Sequence, residues 1–242
     1  VIKAIGFTGS RKVGMLLFHA AAQREEPIPV YAEMSAVNPV IILENALKEK
    51  SEQIASGLVD SITLGVGQFC TNPGIVLLKN NNTTDKFLEQ VSANISKANP
   101  GTMLNQGICK SYAEGISAMQ KEKNVRILGA ASKEAVSEKN EARPIAFAVA
   151  ASDFIANASL AQEIFGPASL MITYSKNEEL HEILRSMEGQ LTATIHAGEA
   201  DKATLQPIIN IIAQKAGRII FGGFPTGVAV CHSMQHGGPF PS

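Results

Sequence analysis

Residues 1–23, VIKAIGFTGSRKVGMLLFHAAAQ, hold a strand, a turn and a helix in immediate succession. VIKAIGF is apolar and extended in character. Thr8-Gly9-Ser10 then turns the chain, Ser10 can cap a helix, and Val13, Leu16, Leu17 and Ala20 line one face of a helix over Arg11–Gln23. A strand feeding directly into a helix is the unit of an α/β sheet.

The rest of the chain repeats that alternation. PVYAEM (29–34) and VIIL (40–43) read as strands, and Ile54, Ala55, Leu58, Val59 and Ile62 give helical spacing over Ser51–Leu64. GIVLLK (74–79), VRILG (125–129), IAFAVAA (145–151), SLMITY (169–174), LTATIHA (191–197) and RIIF (218–221) supply further strands. Helices are expected over Asp85–Lys97, Asn177–Met187 and Asp201–Ala216, and NNNTT at Asn80–Thr84 reads as a surface turn. The fold class is therefore α/β with a largely parallel sheet. A boundary near Ser35 divides residues 1–35 from 36–242.

The 242 residues carry a net charge of −1, with Lys and Arg scattered, which excludes the basic footprint that nucleic acid or an anionic membrane requires. No apolar run reaches the roughly 18 residues of a membrane span, and the start lacks a signal-peptide pattern, so the cytoplasm is expected. Cys70, Cys109 and Cys231 are odd in number without a C-x-x-C pair, which argues against a disulfide framework or zinc ribbon. Because the chain opens inside an apparent strand and stops after a glycine-rich loop, a fragment of a longer protein is expected.

Cys70 lies in LGVGQFCTNPG (64–74), past a helix end, with glycines before it and a Thr-Asn-Pro-Gly turn behind. A loop-held thiol is a candidate nucleophile, but the negative end of a helix dipole disfavours its thiolate, so a cation or backbone N–H groups must compensate. Glu33, at the end of PVYAEM, is placed for the crevice at the strand ends of an α/β sheet; a solvated loop acid is the competing reading. Gly9 and Ser10 open a helix after a strand, an arrangement that suits a phosphate and equally a plain helix cap. Cys231, His232 and His236 invite a metal reading, yet Gly237-Gly238-Pro239 argues for a loop and no metal is expected. The G-x-S-x-G elbow of a serine hydrolase is absent.

In order along the chain, IGFTGSRKVG, AEMSAVNP, GQFCTNPG and QEIFGPA resemble the aldehyde dehydrogenase superfamily. GQFCTNPG, LTATIHA and GFPTGVAVCHSMQHGGPFP are most similar to its α-ketoglutaric semialdehyde and bacterial fatty aldehyde members. The resemblance implies that residues 1–35 finish a Rossmann-type NAD(P)-binding domain and that 36–242 form the catalytic domain. It gives Cys70 the role of nucleophile and Glu33 that of general base. Gly9, Ser10 and Gly14 fall to the cofactor's pyrophosphate turn, Met34 to the carboxamide, Glu163 to the nicotinamide ribose and Phe165 to the nicotinamide. Phe69 and Thr71 would line the substrate pocket. Oxidation of an aldehyde, 2,5-dioxopentanoate, to a carboxylate with NAD or NADP is implied, in a homo-oligomer (dimer or tetramer) of the full-length protein; a long-chain aldehyde as substrate and a catalytically silent fragment are the alternatives. Ser35 replaces a usual glycine, which would crowd the nicotinamide or force a glycine-type backbone angle, and Phe221-Gly222-Gly223 stands where Phe-Asn-Gly is usual.

Overall fold

The computed structural model describes residues 2–227 and 231–242; Val228–Val230 of the GFPTGVAVCHS motif lie outside the described residues. Strand β1 (Ile5–Thr8), helix α1 (Arg11–Ala22) and strand β2 (Val30–Glu33) come first. β1 and β2 form a parallel two-stranded sheet with Thr8 opposite Glu33. Ser10 caps α1, its Oγ accepting from Val13 N at 3.4 Å.

The chain continues through β3 (Val40–Ile42), α2 (Glu44–Thr63), β4 (Ile75–Lys79), α3 (Asn82–Lys97), β5 (Gly101–Thr102), α4 (Gln106–Lys121), β6 (Arg126–Ala130) and β7 (Glu141–Ala142). It ends through β8 (Ile145–Ala150), α5 (Ala151–Ala156), β9 (Ala168–Tyr174), α6 (Asn177–Ser186), β10 (Gln190–His196), α7 (Lys202–Ile212) and β11 (Ala216–Phe221). Seven strands form one sheet in the order β11-β10-β3-β4-β9-β8-β6. Every neighbouring pair in it is parallel except β6 with β8, and β5 pairs antiparallel with β7.

Both faces of the large sheet are covered, which is why its strands are continuous apolar runs. In β4 the period of two sends Ile75 and Leu77 to one face, where they meet Leu180, Ile183 and Ile208 of α6 and α7. Val76 and Leu78 face the other way and meet Leu58 of α2 and Phe87 and Val91 of α3. Each such side chain contributes about 1.5–3 kcal/mol on burial.

Helix α2 starts at Glu44 rather than Ser51, because Lys50 leaves helical geometry (φ −142°, ψ 29°) and the kink breaks the apolar register. Helix α4 has no counterpart in the sequence reading: only Tyr112 and Met119 along it are fully buried, too few to mark a stripe. The Asn80–Thr84 turn is part of a helix start, where Asn81 Oδ1 accepts from Thr83 N and Thr84 N at 2.9 and 3.0 Å and Thr84 is buried. Among the described residues no helix is long and apolar enough to cross a membrane.

Candidate active site

Cys70 is set by the segment between α2 and β4, at the amino end of the large sheet. There Gly65, Val66 and Gly67 take φ values of 55°, 60° and 64°, a left-handed turn that a β-branched valine enters at a cost of about 1–2 kcal/mol. Gly67 has no substitute, since a Cβ there would lie 2.2 Å from the carbonyl carbon of Gly166 as well as meeting the positive φ. Gln68 fastens the turn: its Nε2 donates to Gly65 O at 3.1 Å and its Oε1 accepts from Leu104 N at 2.9 Å.

Behind the thiol, buried Asn38 uses its whole side chain. Its Nδ2 donates to the carbonyls of Cys70 (2.9 Å) and Asn72 (3.1 Å), and its Oδ1 accepts from Thr192 N (3.2 Å) and Thr192 Oγ1 (3.1 Å) on β10. Gln190 Oε1 holds the preceding backbone by accepting from Val37 N and Asn38 N at 2.8 and 2.9 Å. The nucleophile's peptide is thus tied to the sheet. Asn38 also has φ 43°, a left-handed angle that asparagine tolerates.

Glu33 ends β2, and the C-terminal loop returns over it because Pro241 O accepts from Met34 N at 3.2 Å and Phe240 O from Gly189 N at 3.0 Å. That return brings His236 to the site. Its Nε2 lies 3.4 Å from Cys70 Sγ and 3.1 Å from Glu33 Oε2. The three residues' polar atoms all fall within 4.8 Å of one another. Burial first, and the Glu33 carboxylate second, push the Cys70 thiol from 9.0 up to about 11, while the N–H groups of Cys70 and Thr71 pull it the other way. The resting group is a thiol.

An open cleft of about 530 Å³ adjoins this triad, lined by Gly6, Phe7, Thr8, Ala32, Glu33 and His236. It runs along the carboxyl-terminal parts of the parallel strands β1 and β2. Gly9 joins the strands by donating its N–H to Glu33 O at 3.0 Å. Gly14 lets α1 lie against β2, for a Cβ there would meet the Met34 sulfur at 2.6 Å. Of the two residues flanking Cys70, Phe69 is 39% exposed and Thr71 only 5%, so Phe69 alone presents much surface.

Glu163 and Phe165 stand apart, in a narrow crevice with Ala36, Val37 and Asn72. Burial pushes the Glu163 carboxyl from 4.5 up to about 7, against hydrogen bonds from the Ser35 side chain and the Ala36 N–H. Ser35 therefore faces Glu163, and among the described residues the positive-φ positions other than glycine are Asn38, Val66, Asn124 and Asn140, so Ser35 takes no glycine-type angle. A raised folded-state pKa favours the folded state below the unfolded value and loses that contribution as pH climbs through the folded one. Unfolding free energy should therefore fall by on the order of 2–3 kcal/mol between about pH 4.5 and 7.5 relative to Glu163→Gln. Denaturant titrations of both proteins across that range check this; parallel profiles would refute it.

Of the expected residues, the structure brings Cys70 and Glu33 together and adds His236, to which the sequence reading gives no part in this site. Cys231 is exposed, with its Sγ 3.3 Å from Ser233 Oγ. The histidine is 166 positions from Cys70, and only the return of the loop over β2 reveals the contact.

The profile of the aldehyde dehydrogenase family matches residues 1–238. The chain is 43% identical over 241 residues to alpha-ketoglutaric semialdehyde dehydrogenase 2 of Azospirillum brasilense, covering 100% of this chain and 46% of that protein. It is 42% identical over 243 residues to the alpha-ketoglutaric semialdehyde dehydrogenase of Acinetobacter baylyi, again spanning 46% of that protein. The chain thus spans about half the length of these curated relatives. Among solved structures, an indole-3-acetaldehyde dehydrogenase complexed with NAD+ superposes with a TM-score of 0.79 at 21% identity, covering 98% of this chain and 47% of the other.

Proposed function

Because the chain belongs to the aldehyde dehydrogenase family, we propose that, within its full-length protein, it oxidises an aldehyde to a carboxylate with NAD or NADP. The observation that carries this reading is the meeting of a thiol, a carboxylate and an imidazole beside an open cleft at strand ends. The substrate is 2,5-dioxopentanoate, α-ketoglutaric semialdehyde, as the names of the two curated relatives suggest. The working form is a cytoplasmic homo-oligomer. Residues 1–35 complete the cofactor domain; exposed Val13, Leu16 and Phe18 on α1 and Tyr31 on β2 are the apolar surface its remainder would cover.

The cleft fits the nicotinamide end of a dinucleotide: open α/β sheets bind such ligands past their strand ends, and the first turn of α1 carries no acidic residue to repel a pyrophosphate. Gly9, Ser10 and Gly14 would serve the pyrophosphate and the Met34 carbonyl the carboxamide, while Glu163 and Phe165, to which the resemblance gives the ribose and the nicotinamide, lie in the separate crevice rather than in this cleft. When bound, the oxidised cofactor supplies a hydride acceptor and a positive charge.

The chain's own groups do the rest. As Cys70 Sγ bonds to the aldehyde carbon, His236 Nε2 takes the thiol proton, and the carbonyl oxygen is left as the oxyanion of a thiohemiacetal on the sulfur. Loss of hydride from that carbon gives a Cys70 thioester. Glu33 then accepts a proton from water as the water attacks, the C–S bond breaks, and the sulfur recovers its proton. Phe69 borders the incoming substrate.

Initial rates of cofactor reduction by the full-length protein test the assignment. The expected kcat/KM for 2,5-dioxopentanoate exceeds that for dodecanal by about tenfold or more. The reverse order would overturn the substrate, and no reduction with either would overturn the activity. In Glu33→Gln, one rapid turnover per site should survive while the steady rate falls by roughly 100- to 10,000-fold; stopped-flow absorbance separates the phases, and loss of both together would remove Glu33 from the hydrolytic step.

A further inference from the structure

We propose that Cys70, Glu33 and His236 form a site for a zinc ion, which on binding withdraws the thiol from reaction. Tetrahedral zinc holds sulfur at about 2.3 Å, imidazole nitrogen at about 2.0–2.1 Å and carboxylate oxygen at about 2.0–2.2 Å, which sets ligand-to-ligand edges of roughly 3.6 Å for S···N and 3.3 Å for N···O. The corresponding distances here are 3.4 Å from Cys70 Sγ to His236 Nε2 and 3.1 Å from His236 Nε2 to Glu33 Oε2. These two edges need shifts of only a few tenths of an ångström, and the third pair, Cys70 Sγ with the Glu33 carboxylate, lies within 4.8 Å. The three donors come from the end of β2, the turn before β4 and the C-terminal loop, so the fold assembles the site.

Charge points the same way. A thiol and a carboxylate share the spot, with the His236 imidazole Nε2 3.1 Å from Glu33 Oε2. A divalent cation answers both. Binding is balanced by one proton: the Cys70 S–H gives its hydrogen to solvent as the sulfur–zinc bond forms, and nothing is oxidised or reduced. Thiolate with imidazole favours zinc over magnesium or calcium, which prefer oxygen donors. Glu33 and His236 also line the cleft, which leaves the fourth position to water. Neither a nicotinamide nor an aldehyde enters this argument, so the site stands independently of the proposed oxidation.

The test uses the chain with Cys109→Ser and Cys231→Ser, which leaves Cys70 as its thiol, and reads binding without turnover. Titration with cobalt(II) should produce, at one equivalent, a thiolate-to-cobalt charge-transfer band in the near ultraviolet and the visible absorption of four-coordinate cobalt; both should bleach when zinc is added. Zinc should also slow iodoacetamide labelling of Cys70, followed by mass spectrometry. In a competition with a chromophoric chelator, His236→Ala and Glu33→Gln should each weaken zinc by more than the roughly 10- to 100-fold that losing a residue behind a ligand costs. Far-ultraviolet circular dichroism confirms that the variants are folded, and the cobalt spectrum of the parent decides the matter if one is not. Absence of the charge-transfer band, unprotected Cys70, or zinc affinity indifferent to both substitutions would overturn the proposal. So would a cobalt–thiolate band seen only when Cys231 is present, which would place the metal on the exposed Cys231–His232 loop.

Discussion

Replacing Cys70 by alanine in the full-length protein is expected to lower aldehyde-dependent cofactor reduction by roughly 10,000-fold or more. Hydride leaves readily only from a carbon that already bears an electron-rich oxygen, and the sulfur is what converts the flat carbonyl into that state. Among the described residues lining the cleft there is no second thiol, and Glu33 and His236 move protons. Folding should be little affected: the Cys70 side chain is half-buried, while its carbonyl, the group Asn38 holds, is retained. Steady-state rates with thermal unfolding as a control check this. A residual rate within tenfold of the parent would remove Cys70 from the chemistry.

The largest expected loss of stability follows from Asn38→Ala. The change leaves the carbonyls of Cys70 and Asn72 and both groups of Thr192 without their partner in a buried place, and puts alanine at φ 43°. Unsatisfied buried groups cost about 1–3 kcal/mol each, with partial relief as neighbours relax, so a total of about 3–5 kcal/mol is expected, or a drop in Tm of about 10 °C. The consequence reaches the chemistry. Asn38 fixes the Cys70 carbonyl, and that peptide unit also carries the Thr71 N–H, one of two amides that draw the thiol pKa down. With the peptide free to rotate, the thiol should titrate still higher, measured as a shift of the alkylation profile of Cys70 to higher pH. An unchanged Tm would show that the clamp contributes little.

The α/β architecture is legible because the five inner strands of the large sheet, β3, β4, β8, β9 and β10, are almost wholly buried and so read as apolar runs between helices. What escapes is what lacks a stripe: α4, which buries few side chains fully, and the first turns of α2, cut off by the kink at Lys50. In the site, Cys70 and Glu33 are visible from their flanks, a turn with two glycines and a strand end. His236 is not, because its neighbours in sequence, Cys231 and His232, suggest a different grouping, and only tertiary folding carries it to the thiol. Asn38 carries no mark either: its part in the site depends on backbone carbonyls, which every residue has. Ser35 shows the converse, a departure from the usual glycine whose hydroxyl acts on Glu163 without any special backbone angle.

The account turns on a covalent intermediate at one sulfur, and that intermediate can be weighed. Full-length protein carrying Glu33→Gln, mixed with 2,5-dioxopentanoate and oxidised cofactor and then quenched in acid, should yield a peptide containing Cys70 heavier by the acyl group, in an amount equal to the cofactor reduced in the burst. Cofactor reduced with Cys70 unmodified, or the acyl group found on another residue, would contradict it.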